Sequence, residues 1–253
     1  MLLKDKVVIV TGAARGIGKV LAAGIAAQGA KVVLSDLRDG EAAAEEIRRA
    51  GGEAVFVQAD VSVNDNTVAV ANAAHEQCGR IDGLVNNAAF HAELKYVPFD
   101  EIDEEEWDRV FAVNVKGTWQ MTKAVYPYMK ARGSGKIINI GSSTPFKGTP
   151  KMYHYVASKG AVGALTRSLA RTVGKEGICV NCVTPGLTRS DSVLAARGAA
   201  LMDADEADQI AGRAIQRGQM PEDLVGAIVF FLSDGADFIT GQTLMVEGGG
   251  HMI

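Results

Sequence analysis

Val7-Val8-Ile9-Val10-Thr11-Gly12-Ala13-Ala14-Arg15-Gly16-Ile17-Gly18 decides how this chain is read. A β-branched run of strand length feeds a turn with three glycines, and an Ala- and Leu-containing amphipathic stretch follows at once. A helix opening directly after a strand presents unpaired N–H groups and the positive end of its dipole, which suits a phosphate. Glycines remove the side chains that would keep backbone and phosphate apart. The spacing is G-x-x-x-G-x-G rather than the commoner G-x-G-x-x-G. A triphosphate-binding loop is disfavoured: Lys19 follows Gly18, but Ala13 stands where that loop needs glycine and Val20 where it needs a hydroxyl. The competing reading of the stretch alone is a tight turn without a ligand.

Outward from it, strand-like and helix-like segments alternate to the end. Six more short apolar runs follow, at residues 31–34, 54–57, 83–85, 136–140, 178–180 and 243–246. Between them lie amphipathic stretches at about 16–28, 40–50, 65–78, 104–131, 155–175 and 221–232. Runs that are apolar throughout, rather than alternating, belong in a sheet buried on both faces. The expected fold is therefore α/β: a Rossmann-type, doubly wound, seven-stranded parallel sheet with helices on both faces. Residues 1–253 read as one dinucleotide-binding and catalytic domain, and the long interruption at about 186–220 as a substrate lid with short helices.

Composition narrows the function. The chain has 253 residues, 47% of them hydrophobic, and a formal net charge of −4. That is ample for a core and a poor match to nucleic-acid binding. No apolar run is long enough to cross a membrane, and Lys4, Asp5 and Lys6 break the start, so neither a span nor a secretion signal is expected. Three cysteines fit a reducing cytoplasm better than a disulfide framework.

Asp36 ends the second run, 18 residues past Gly18, near the offset of about 20 for an acid that accepts from adenosine ribose hydroxyls. Such a carboxylate favours NAD over NADP. Arg15 and Arg38 soften that preference, and a plain helix cap is the alternative for Asp36. Asp60-Val61 and Asn86-Asn87-Ala88-Ala89 follow the third and fourth runs, at the sheet edge where α/β proteins bind ligands.

Tyr155 and Lys159 are one helical turn apart and share a face. An unperturbed phenol ionises near 10, and a neighbouring ammonium favours the phenolate. The pair is thus expected to exchange a proton with an alcohol or carbonyl oxygen. The spacing recurs at Tyr126 and Lys130, but Ser142 lies 13 residues before Tyr155 at the end of the fifth run, whereas Val113 holds that place before Tyr126. Tyr126 also precedes Pro127, so this second pair reads as structural.

Thr11–Gly18, Asp60, Asn86–Ala88, Asn114, Ser142, Tyr155, Lys159 and Pro185-Gly186, in order along essentially the whole chain, resemble the short-chain dehydrogenase/reductase family. The resemblance implies an oxidoreductase that moves a hydride between a nicotinamide cofactor and a secondary alcohol or ketone. It implies an Asn114-Ser142-Tyr155-Lys159 tetrad. Tyr155 is then the acid/base, Lys159 lowers its pKa and holds the nicotinamide ribose, Ser142 polarises the substrate oxygen and Asn114 holds a water. Gly12, Arg15, Gly16, Ile17, Gly18, Asp36, Asp60, Val61, Asn87, Ala88, Pro185, Gly186 and Thr188 would join Tyr155 and Lys159 in binding NAD. Two departures are Ala89 and Gly141, where the family usually has glycine and often serine. Residues 149–159 and 239–244 are similar to members that oxidise pyridoxal or 1-phenylethanol-type alcohols, and to 3-oxoacyl-carrier-protein reductases.

Substrate contacts are expected from Phe90, Phe146, Met152 and His154, making a medium, partly apolar pocket for a small cyclic or aromatic alcohol. Cys179 and Cys182, a C-x-x-C pair, span a buried run and read as core. The four histidines lack metal-ligand spacing, and no metal is expected. The Ala157-Ala161-Ala164-Leu165 face of the helix at 155–175, with Val110, Val113 and Thr118, suits close pairing between subunits, and the family commonly forms homotetramers. The alternatives are a 3-oxoacyl-carrier-protein reductase and a catalytically silent nucleotide-binding module.

Overall fold

The computed structural model describes residues 1–91 and 93–251. Its seven strands are β1 (Val7–Thr11), β2 (Lys31–Asp36), β3 (Glu53–Gln58), β4 (Gly83–Asn86), β5 (Gly135–Ile140), β6 (Ile178–Pro185) and β7 (Thr243–Val246). They form one sheet in the order β3-β2-β1-β4-β5-β6-β7, every neighbouring pair parallel. The helices are α1 (Gly16–Ala26), α2 (Glu41–Arg49), α3 (Asn64–Cys78), α4 (Glu104–Phe111), α5 (Thr118–Arg132), α6 (Thr144–Lys147), α7 (Tyr153–Val173), α8 (Asp191–Arg197), α9 (Ala199–Ala211) and α10 (Glu222–Leu232).

Alternation along β1 shows why the strands are apolar throughout. Val8 and Val10 enter a core with Leu21 and Ile25 of α1 and Leu224 and Ile228 of α10. Val7 and Ile9 enter the opposite one, with Val70 of α3, Met121 and Val125 of α5 and Val173 of α7. Each large side chain so buried contributes roughly 1.5–3 kcal/mol, and a polar residue at either register would lose it.

Three boundaries differ from expectation. The stretch read as one helix at 104–131 is interrupted by a wide π-type turn, Ala112–Gly117. At Gly117 an added Cβ would lie 2.7 Å from Val61 Cγ2, so the chain passes the β3 end closely there. Strand β6 runs five residues past the predicted 180, because its polar residues are paired: Asn181 donates to Ile239 O at 2.8 Å and accepts from Gln242 N at 3.0 Å. Helix α7 starts two residues early, at Tyr153. The interval 186–220 does carry two helices, α8 and α9.

Chain reversal occurs between β1 and β4, since β2 and β3 lie to one side of β1 and β4 to β7 to the other. A crevice opens at the carboxyl ends of strands at such a point. The side chains of Thr11 and Asn87 stitch its floor. The Thr11 hydroxyl accepts from Asn87 N and Ala88 N, both at 3.0 Å, and Asn87 Nδ2 donates to Thr11 O and Gly12 O at 2.9 and 3.0 Å. No helix among the described residues is long and apolar enough to cross a membrane.

Candidate active site

One cavity of about 1140 Å³ runs along this edge, from Gly12, Ile17 and Asp36 past Asp60 and Val61 to Ser142, Tyr155 and Lys159. Its end beside β1 and β2 is set by glycines. Gly12 and Gly16 have φ of +64° and +63°, which side chains other than glycine rarely adopt. At Gly18 an added Cβ would stand 2.1 Å from Gly12 O, so α1 must approach β1 there. Asp36 is held at the wall by two backbone donors: Ala14 N at 3.0 Å and Arg38 N at 2.9 Å. Asp60 accepts from the Ser62 N–H at 2.8 Å and its hydroxyl at 2.7 Å. Pro185, Gly186 and Thr188 line the other end, where Gly186 leaves no room for a Cβ against Glu247, Arg213 and Gln219.

The reacting end is built from three elements. Ser142 follows β5, and its oxygen accepts from Thr144 N at 3.2 Å and Thr144 Oγ1 at 3.0 Å. Tyr155 and Lys159 occupy the first turns of α7, both buried. The Lys159 ammonium donates to Ile140 O, the last carbonyl of β5, at 2.7 Å. Gly141 explains itself: a Cβ there would meet Thr184 Cγ2 at 2.6 Å and Cys182 Sγ at 2.8 Å, so serine would not fit beside these two residues. Ala89 is exposed, and its extra methyl meets no core.

Asn114 lies in the π-type turn, a frequent device for presenting a functional residue. Its Oδ1 accepts from Phe90 N at 2.7 Å, and its Nδ2 donates to Ser158 Oγ at 3.1 Å. Ser158 in turn donates to Tyr155 O at 2.7 Å. Asn114 thus braces the loop after β4 against the helix turn that carries the phenol, without itself reaching the cavity wall.

Electrostatics depart from expectation in the ligand-free protein. Burial pushes the Tyr155 phenol above its ordinary value of 10, and the nearby Ser142 hydroxyl offsets only part of that rise. Burial also pulls Lys159 down to about 8. Burial therefore sets the direction for both groups in the ligand-free protein.

The predicted contacts divide. Phe90 and Met152 line the cavity. Phe146 is 46% exposed and does not, and His154 is wholly buried behind it, with Nε2 3.0 Å from Glu106 Oε1 and its ring stacked on Trp107. A histidine next to Tyr155 in sequence falls on a different side of α7, a consequence of helical periodicity that the expectation overlooked. Gly16 and Gly18 shape the loop rather than line the cavity. Tyr126 and Lys130 lie outside it, with Lys130 3.2 Å from Glu176. Cys179 and Cys182 are buried in β6, and burial pushes the Cys182 thiol up to about 11, an unreactive core thiol. Among the described residues no cluster of three metal-ligating side chains occurs.

Reasoning from sequence missed two residues. Thr144 orients Ser142, and the Ser-Ser-Thr run after β5 was a usable signal. Asp191 of α8 accepts from Gly16 N at 2.7 Å, capping α1, which has no side-chain cap of its own. The two are 175 residues apart, so no local pattern joins them.

The glycine cradle, the fixed Asp36 and the size of the cavity fit a nicotinamide dinucleotide. Residues 12–251 match the family described as enoyl-(acyl carrier protein) reductase. Galactitol 2-dehydrogenase of Agrobacterium fabrum is 39% identical, with 100% of both chains covered. Cyclopentanol dehydrogenase of Comamonas sp. is 34% identical, over 98% of this chain and 97% of its own. A solved structure described as a candidate NAD(P) dependent gluconate 5-dehydrogenase from Beutenbergia cavernae, with NADP bound at low occupancy, is 35% identical. It superposes with a TM-score of 0.89 over 98% of this chain and 97% of its own. The chain belongs to the short-chain dehydrogenase/reductase family. It is an NAD(P)-dependent oxidoreductase acting on CH–OH groups.

Proposed function

We propose that the chain is a dehydrogenase of small secondary, chiefly cyclic, alcohols, equally able to reduce the ketones, and that it prefers NAD. The observation that carries this reading is the single cavity joining the glycine cradle to Ser142, Tyr155 and Lys159. Bound nicotinamide supplies the hydride acceptor. Gly12, Arg15, Gly16, Ile17, Gly18, Asp36, Asp60, Val61, Asn87, Ala88, Pro185, Gly186 and Thr188 hold or shape its site. Lys159, fixed by Ile140 O, holds the nicotinamide ribose and balances charge beside Tyr155. Ser142, with its hydroxyl oriented by Thr144, holds the substrate oxygen. As the phenolate, Tyr155 takes the alcohol proton at its phenolic oxygen; as the phenol, it returns that proton in reduction. Asn114 keeps α7 and the loop after β4 in register.

The NAD preference is supported by Asp36, a carboxylate fixed at the end of β2 on the cavity wall, which would repel an additional phosphate beside it. Arg15 and Arg38, which would welcome that phosphate, are each 3.2 Å from Glu93. Phe90 and Met152 favour a medium, partly apolar substrate, in keeping with the relatives' cyclic and polyol alcohols. The 186–220 interval acts as the lid. The exposed small residues Ala157, Gly160 and Ala164 on α7, with Trp107 exposed beside it, support homotetramer assembly, and three free cysteines are in keeping with a cytoplasmic setting. The test is a screen of cyclic alcohols with NAD and NADP, read by nicotinamide absorbance. Turnover of cyclopentanol-sized alcohols with NAD, abolished in Tyr155→Phe while NADH still binds, supports the reading. Retained turnover in that variant overturns the role of Tyr155, and sedimentation showing only monomer at micromolar concentration overturns the tetramer.

A further inference from the structure

His91 lines the cavity beside the reacting end, its ring centroid 4.7 Å from that of Tyr155. Neither ring nitrogen has a hydrogen-bond partner among the described residues, though His91 O accepts from Leu94 N at 3.2 Å. The backbone just before it is clamped from both sides: Phe90 N donates to Asn114 Oδ1 at 2.7 Å, and Asn114 Nδ2 lies 3.4 Å from Phe90 O. The Arg109 guanidinium covers the Phe90 ring at 4.6 Å. The asparagine that braces α7 thus anchors the backbone that carries His91, the imidazole packs against the Tyr155 ring, and its polar edge is left for a ligand.

We infer that His91 is a specificity-determining residue that hydrogen-bonds a second, uncharged oxygen on the carbon next to the reacting carbinol, so that vicinal diols and hydroxyketones are preferred over simple secondary alcohols. The inference rests on the dehydrogenase reading above. A neutral imidazole offers one donor and one acceptor, which matches a hydroxyl or a carbonyl. Burial, with Lys159 and Arg197 as neighbours, pulls His91 down to about 4, while Glu93 opposes them weakly; the ring is uncharged around neutrality. Arg197, bordering the same space, pairs with Asp205, and Lys147 contacts Gln209 at 2.6 Å and Glu247 at 3.5 Å, whereas Lys159 and Arg109 line it without a carboxylate partner among the described residues. The uncharged ring itself, which offers no cation to a carboxylate, is what suits a neutral second oxygen. A site built to pair an oxygen discriminates against the analogue that lacks it, because its own polar group is left unpaired.

The test compares trans-cyclohexane-1,2-diol with cyclohexanol, using wild type, His91→Leu and His91→Gln. Turnover is measured with NAD, and affinity by calorimetry on NADH-saturated protein. Wild type is expected to favour the diol. His91→Leu is expected to lose about tenfold in kcat/KM and in affinity for the diol, the equivalent of one neutral hydrogen bond, and less than about threefold for cyclohexanol. His91→Gln, which keeps a donor and an acceptor, recovers part of the loss. Equal losses on both compounds, no loss, or a wild type that binds the diol no better than cyclohexanol overturns the assignment. Binding of the diol that depends on His91 without turnover of either alcohol overturns the dehydrogenase reading and leaves the His91 contact standing.

Discussion

Gly18→Ala probes the junction where α1 approaches β1. The new Cβ would lie 2.1 Å from Gly12 O, 2.5 Å from Asn87 Nδ2 and 2.8 Å from Gly12 C. Ordinary contact begins at 3.4 Å, so the loop has to retreat by about 1.3 Å. Two of the near atoms are backbone, so no flexible side chain can absorb the shift. Retreat breaks the bonds from Asn87 Nδ2 to Thr11 O and Gly12 O, each worth about 1 kcal/mol. Overpacking adds about 1–3 kcal/mol, and the better helix propensity of alanine returns about 1. A net loss of about 2–4 kcal/mol is expected in urea unfolding followed by circular dichroism. NADH affinity, read by fluorescence titration, should fall at least about tenfold, because the phosphate-facing donors move with the loop. Gly226→Ala is the control: nothing lies within 4 Å of its Cβ, and a gain of about 0.5–1 kcal/mol is expected. A Gly18→Ala protein as stable as wild type and binding NADH as well would refute the close-approach argument.

Lys159 gives a pH dependence. Its ammonium is disfavoured in the fold, where it loses its proton at about 8 rather than 10.5, so between these values the unfolded chain holds more protons. Ligand-free wild type should therefore gain about 2–3 kcal/mol over Lys159→Met from pH 8 to 10, and lose it on return through 8; parallel stability curves would contradict this. His154→Ala removes a wholly buried ring, its contact with Glu106 and its stack on Trp107, so a loss of about 2–4 kcal/mol is expected in thermal or urea unfolding. Asp36→Asn should lower the ratio of kcat/KM with NAD to that with NADP at least about tenfold, by removing like-charge repulsion; an unchanged ratio would show that Asp36 does not set the preference.

Much of the architecture was legible because strands buried on both faces have no choice but to be apolar. The run at Val7–Thr11 and the glycines after it led to one end of the cavity, and the i, i+4 pair Tyr155 and Lys159 to the other. Periodicity was weaker where polar side chains pair inside the core, and so β6 read short at Asn181 and Thr184. It was silent on the π-type turn at Asn114, where Gly117 passes close to Val61, a residue distant in sequence. It misplaced His154 and Phe146, since proximity in sequence to Tyr155 and Ser142 does not decide which side of a helix faces a cavity. Asp191 of α8 capping α1 belongs to the same class of long-range facts. The direction of the Tyr155 shift also depended on burial, which the spacing of the pair does not reveal.

Proton exchange at Tyr155 is the claim on which the functional account rests, and an ultraviolet difference titration of wild type against Tyr155→Phe measures it directly. Without cofactor, the phenol is expected to ionise above the ordinary value of 10, as its burial dictates. With NAD bound, the added positive charge beside Lys159 should bring ionisation below that value, toward the pH at which kcat/KM for alcohol oxidation rises. A phenol that ionises at the same pH with and without NAD, or an activity profile that does not follow it, would contradict the assignment of Tyr155 as the proton-transferring group.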